Sequence, residues 1–186
     1  MKNELDVLQD VSARLFRLDI PFMLTGSLAM NYYAIPRMTR DIDLVIELQA
    51  ADVARLVDGF KPDYLVFPEM VQAAVKSRGM FNFIHQASVI KVDFIVRKND
   101  AHSLAEFSRR KEVTFRDFRT FVITKEDLIL AKLAWSRDSR SEVHRRDIRN
   151  LLATGYDRDY LLDWAKRLYV AGWLEECAGE GYDAGS

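Results

Sequence analysis

Apolar residues at Leu5, Leu8, Val11, Leu15 and Phe16 recur at helical spacing, which predicts an amphipathic helix over 5–16. Phe22–Thr25 is a short apolar run halted by Gly26, the pattern of a buried strand. Ser27 is placed to cap a helix over 28–33, which Pro36 must end. Residues 41–47 (DIDLVIE) are rich in β-branched and apolar side chains and predict a second strand. Helices are expected over 51–60 and 68–77, separated by a turn at Lys61-Pro62-Asp63. After Gly79, runs over 80–85 and 88–96 lie close enough to form a hairpin. A helix over 101–109 and short strands near Val113 and over 120–123 complete the mixed part.

From Thr124 onward every segment reads as helix: 125–137, 142–152 and 159–176. The last residues, AGEGYDAGS, read as a frayed, acidic end. The expected architecture is therefore α/β (α+β), a small mixed sheet flanked by helices over 1–123. A helical appendage over 124–186 would pack on it.

Composition narrows the function classes more than the fold. With 49% hydrophobic residues the chain can bury a core, and a net charge of −1 gives no global attraction to nucleic acid or membranes. The single cysteine, Cys177, excludes an internal disulfide and a cysteine-rich zinc site. His85, His102 and His144 have no metal-ligand spacing. The opening MKNELDVLQDVSARLF carries charge in every turn and has no apolar signal core. No apolar run approaches the roughly 20 residues of a membrane helix. A cytoplasmic protein without a membrane partner is expected.

Candidate chemistry lies in three aspartates. Asp41 and Asp43 sit two apart on a predicted strand and so share one face, while Ile42, Leu44 and Ile46 take the other. Adjacent carboxylates repel unless a cation lies between them, and Mg²⁺ or Mn²⁺ suits such oxygen donors. Spacing alone does not decide this, because D-x-D pairs also occur at solvated strand ends. Asp93 is the lone carboxylate in the apolar run VIKVDFIV. It must be exposed, paired with Lys91 on the same strand face, or bound to metal. Gly26-Ser27, between strand and helix, permits a tight turn and a helix N-terminus open to phosphate; it also suits an ordinary turn with an N-cap.

Basic residues add a second layer. Arg37 and Arg40 flank the D-x-D strand, where guanidinium groups suit either a triphosphate or surface solvation beside Asp52 or Glu47, which are near in sequence. Arg137, Arg140, Arg145, Arg146 and Arg149 cluster on helices, interleaved with Asp138, Glu142 and Asp147. That face suits either an RNA backbone or salt-bridge lacing. Trp135, Trp164 and Trp173 read as core or helix-packing residues, and Lys132 as a lysine at the edge of the Leu128/Ala131/Trp135 stripe.

The stretch LTGSLAMNYYAIPRMTRDIDLVI resembles the G-S…D-x-D signature of the DNA polymerase β-like nucleotidyltransferases, and KVDFIV resembles their third-aspartate strand. More narrowly, Arg37, Thr39, Asp41, Ile42 and Asp43 are similar to the Arg-x-Thr-x-Asp-Ile-Asp phrasing of AbiEii-type and related bacterial nucleotidyltransferases. AbiEii-type members read Gly-Gly-Thr where this chain has Thr25-Gly26-Ser27. The resemblance covers residues 22–152 and implies a nucleotidyltransferase-type sheet.

It further implies that Gly26 and Ser27 hold an NTP such as ATP, and that Asp41, Asp43 and Asp93 ligate metal. Asp93 would help deprotonate the acceptor. Lys132 and Asp147 would be the counterparts of the family's helical Lys and Asp, with Lys132 touching nucleotide. Transfer of an NMP to a hydroxyl is the implied reaction. A tRNA 3′ end, a small molecule or a protein hydroxyl would accept it, and a cognate antitoxin would be a partner if the chain is toxin-like. Two other readings stay open: a non-catalytic partner module of a toxin–antitoxin pair, and a surface-binding α/β protein with a fortuitous D-x-D.

Overall fold

The structure is a computed structural model and describes residues 3–179. The reading of the C-terminal end therefore falls, from residue 180 on, outside the described residues. The chain divides into a sheet unit, residues 1–28 and 37–123, and a helical unit, residues 29–36 and 124–186.

In the sheet unit the elements are α1 (Glu4–Arg17), β1 (Phe22–Thr25), the start of α2 (Gly26–Tyr33), β2 (Asp41–Ile46), α3 (Val53–Phe60) and β3 (Tyr64–Leu65). They continue with α4 (Pro68–Ser77), β4 (Met80–His85), β5 (Ile90–Val96), α5 (Ala101–Ser108), β6 (Lys111–Phe115) and β7 (Phe118–Val122). The seven strands form one mixed sheet in the order β3-β4-β5-β2-β1-β7-β6. Parallel β2 and β5 lie at its centre, flanked by antiparallel β1 and β4.

Alternation along the central strands sorts the two faces of the sheet. Ile42, Leu44, Ile46, Val92, Phe94 and Val96 have no solvent exposure and form the floor of the core. Helix α1 packs against β7 and β2, α4 against β4, and α3 against α4. Phe60, Phe81, Phe83 and Phe94 interlock there, with ring centroids 5.1–5.9 Å apart. The opposite face carries Asp41, Asp43, Lys91 and Asp93.

Two expectations are corrected. Ser27 does not cap α2 from outside, because the helix begins at Gly26 and Ser27 lies in its first turn. Gly26 takes the junction instead, with φ of +65° in the left-handed region that glycine enters without strain. In the helical unit, the single helix expected over 159–176 is two, α8 (Arg158–Arg167) and α9 (Ala171–Ala178), following α6 (Lys125–Ser136) and α7 (Glu142–Leu152). Tyr169 turns left-handed at φ +57°, its N–H donates to Lys166 O, and the Val170 N–H donates to Ala165 O. This is a Schellman stop with tyrosine where glycine is usual, so neither Gly nor Pro marks it in the sequence.

Helices α6 and α7 pack together, α7 on α9, and α6 and α9 on α8. Among the described residues no helix is long and apolar enough to cross a membrane.

Candidate metal and nucleotide site

The site residues of the sheet unit are brought together by strand register. Asp43 on β2 lies opposite Thr25 on β1 and Asp93 on β5, and Asp93 lies opposite Asn82 on β4. Residues so paired across strands present their side chains on one face. Thr25, Asp43, Asp93 and Asn82 thus form a polar row over four strands. One step back along the strands, Asp41 is opposite Lys91. The apolar alternation on the other face fixes this register, since a slip of one residue would bury the aspartates in the core.

Gly26 closes the row at the β1–α2 junction. A Cβ at this position would fall 2.7 Å from Asp43 Cγ, an overlap that only a shift of the Asp43 side chain would relieve. The backbone turn therefore approaches the carboxylate directly. Ser27 Oγ accepts a hydrogen bond from Arg37 Nη2 at 2.6 Å, which ties the loop before β2 to the first turn of α2. Arg40 is exposed on that same loop. Glu47 and Asp52, the alternative sequence-local partners of the two arginines, bind Arg97 at 3.0 Å and Arg55 at 2.7 Å.

Electrostatics centre on Lys91. Its Nζ lies 2.8 Å from Asp93 Oδ2 and 3.7 Å from Asp41 Oδ1, so one ammonium bridges two of the three aspartates. The hydrogen bond to Asp93 holds the Lys91 ammonium to a higher pKa than an ordinary lysine, with the charges of Asp93, Asp41 and Asp43 adding to it against partial burial. Asp93 is 8% exposed, whereas the Asp41 side chain remains 57% exposed. The lone carboxylate of the apolar strand is thus satisfied by the lysine partner that the sequence offered.

These residues suit a hard divalent ion by donor chemistry, since Asp41, Asp43 and Asp93 offer only carboxylate oxygens on one face. As they stand, no group of three His, Cys, Asp or Glu side chains among the described residues closes on a common point. The cation at the meeting point of Asp41 and Asp93 is the ammonium of Lys91.

Lys132 and Asp147 belong to the helical unit and are brought together there. Lys132 Nζ donates to Asp147 Oδ2 at 2.9 Å, with side chains only 5% and 0% exposed. The lysine expected at the edge of an apolar stripe is inside it, and Trp135, expected to pack, is 69% exposed. Asp147 on α7 supplies the counter-charge that lets the lysine turn inward. The arginine cluster is largely engaged within the unit. Arg140 pairs with Glu176 at 2.9 Å, Arg140 and Arg145 lie over the Trp173 ring, and Arg149 Nε donates to Cys177 O at 2.7 Å.

Sequence reading missed Asn82 and Thr25 as members of the polar row. Both stand on the Asp93–Asp43 face of their strands, a placement that only strand pairing reveals.

No protein-family model matches the sequence, and no curated protein matches it. Solved structures do match. An antigenic nucleotidyltransferase-like protein from Paracoccidioides brasiliensis aligns with a TM-score of 0.59 at 18% identity, over 91% of this chain and 86% of its own. The antibiotic-resistance factor ANT(2″)-Ia aligns at 0.57 and 15% identity, over 91% and 94%. The fold is that of the nucleotidyltransferases. Lincosamide antibiotic adenylyltransferase LnuA, in its lincomycin-bound form, shares it at a TM-score of 0.50 and 15% identity, over 80% and 94%. At such identities the likeness is one of backbone, and the chemistry rests on this chain's own side chains.

Proposed function

We propose that this protein is a metal-dependent nucleotidyltransferase that moves an NMP from an NTP to an acceptor hydroxyl and releases pyrophosphate. The observation that carries the reading is the in-register row of Asp43 and Asp93 beside Asp41, with the Gly26 turn pressed against the Asp43 carboxylate. In this reading Asp41, Asp43 and Asp93 hold Mg²⁺ or Mn²⁺, which when bound neutralises phosphate charge and lowers the barrier to displacement at phosphorus. Gly26 and Ser27 offer backbone N–H groups to the triphosphate at the start of α2. Arg37, already oriented on Ser27, and Arg40 add positive charge along the phosphates. Asp93 takes the proton as the acceptor oxygen bonds to the α-phosphorus. The bond from that phosphorus to the bridging oxygen breaks, and pyrophosphate departs with its electrons.

The acceptor is a hydroxyl compound of the cytoplasm. A small molecule is favoured by two proteins that share the fold, the lincosamide antibiotic adenylyltransferase bound to lincomycin and the antibiotic-resistance factor ANT(2″)-Ia in complex with adenylyl-2″-tobramycin. The toxin-like alternative, with a tRNA 3′ end as acceptor and a cognate antitoxin as partner, is a separate arm of the same test. Lys91 on Asp93 favours a second reading, a non-catalytic partner module of the same fold.

Purified protein incubated with Mg²⁺ and each labelled NTP is offered aminoglycosides, lincosamides or total tRNA, beside an Asp41→Ala/Asp43→Ala control. Label moved by the wild type alone supports the enzyme and names base and acceptor class. Absence of both transfer and metal-dependent NTP binding sinks it and leaves the partner module.

A further inference from the structure

Lys91 stands where two proposed metal ligands meet. Its Nζ is hydrogen-bonded to Asp93 Oδ2 at 2.8 Å and lies 3.7 Å from Asp41 Oδ1. The register pairs Asp41 with Lys91 across β2 and β5, so the lysine is held at this point by the strands and not by a mobile loop. A divalent ion on Asp41 and Asp93 would share their oxygens with this ammonium, and two cations cannot occupy one point between the same carboxylates. The Lys91 side chain is 43% exposed, so its long stem can carry the charge out to water without stripping the core.

We propose that Lys91 is a built-in counter-cation that keeps the Asp41–Asp93 pair assembled and must be displaced for a divalent metal to bind, thereby lowering the site's metal affinity. The proposal rests on the metal-site reading above. It makes occupancy of the site depend on the supply of divalent ions. The carboxylates stay neutralised when divalent ions are scarce and exchange lysine for metal when they are plentiful. Loss of the lysine charge removes the competitor and leaves uncompensated carboxylates that attract metal more strongly.

The test is Mn²⁺ binding to the full chain without nucleotide, followed by calorimetry and by the loss of the free-ion electron paramagnetic resonance signal. Lys91→Met should bind Mn²⁺ about tenfold more tightly than wild type, the scale of releasing one exposed ion pair and one neighbouring positive charge. Lys91→Gln should shift the same way, and Lys91→Arg, which keeps the charge, should stay near wild type. Circular dichroism melts of each variant confirm folding, and the Lys91→Met melt should rise more with Mn²⁺ than that of wild type. Equal or weaker binding by folded Lys91→Met and Lys91→Gln overturns the proposal while leaving the metal site in place. No saturable binding by wild type or either variant overturns both.

Discussion

Lys91 Nζ lies 2.8 Å from Asp93 in the sheet unit, and Lys132 Nζ lies 2.9 Å from Asp147 in the helical unit. The lengths nearly coincide; the surroundings do not. Lys91 is 43% exposed and touches a second carboxylate, whereas Lys132 and Asp147 are sealed at 5% and 0%. In the helical unit no water waits to replace either partner, so the pair acts as a fastener between α6 and α7. In the sheet unit the ammonium can be replaced by water or by another cation, so the pair can serve a site. Distance alone therefore does not assign a role to an ion pair; what could take its place does.

The largest effect that would break this contrast lies in the helical unit. Asp147→Ala strands a buried ammonium and should lower unfolding free energy by about 3–5 kcal/mol, read from denaturant melts. The double variant Lys132→Met/Asp147→Leu should recover most of that loss, because a paired charge replaced by apolar volume leaves no orphan. A loss below about 1 kcal/mol for Asp147→Ala would place the pair with ordinary surface bridges and erase the distinction.

Neutralising an aspartate of the sheet unit should do the reverse. Asp43→Asn keeps the shape beside Gly26 and relieves repulsion with Asp41 and Asp93, so stability should stay within about 1 kcal/mol of wild type. Nucleotidyl transfer should fall about a hundredfold or more, the scale of losing one group that stabilises developing charge. A folded variant with intact transfer would remove Asp43 from the proposed chemistry.

Between these extremes stands Gly26→Ala. At φ +65° a Cβ is strained, and here it also meets the Asp43 carboxylate. The expected cost is about 1–3 kcal/mol, accompanied by weaker NTP binding in calorimetry as Asp43 is pushed aside. A variant that is destabilised but binds NTP unchanged would make the glycine structural only.

Much of the sheet unit was legible because its signals are local. The strands Phe22–Thr25 and Met80–His85 and the helix Pro68–Ser77 have the bounds that their apolar periods predict. The two-residue strand β3 was not legible, because Tyr64-Leu65 is too short to show a period and is a strand only through pairing with Ile84 and His85. The Asp93–Lys91 pairing was one of the readings open from strand alternation, but the bridge to Asp41 needs β2 and β5 to be adjacent and parallel. Lys132 and Trp135 show the opposite limit. Hydrophobicity placed the tryptophan inside and the lysine at the edge, yet the counter-charge on Asp147, fifteen residues later, reverses the order.

The smallest effect is the coupling of the Lys91–Asp93 pair itself, and it sharpens the comparison most directly. A double-mutant cycle with Lys91→Met and Asp93→Asn should give about 1 kcal/mol or less, and raising salt from about 0.05 to 1 M should remove most of it. The same cycle on Lys132 and Asp147 should be larger and nearly indifferent to salt, since ions cannot enter between fully buried groups. Alkaline pH gives an independent check with a fixed sign. Folding raises the Lys91 pKa above its ordinary 10.5, so its contribution is present below that pH and is lost as pH climbs through the folded value. Stability of wild type should therefore fall more steeply than that of Lys91→Met above about pH 10.5. Parallel curves for the two proteins would mean that the ammonium contributes nothing to the fold and stands between the carboxylates as a solvated neighbour.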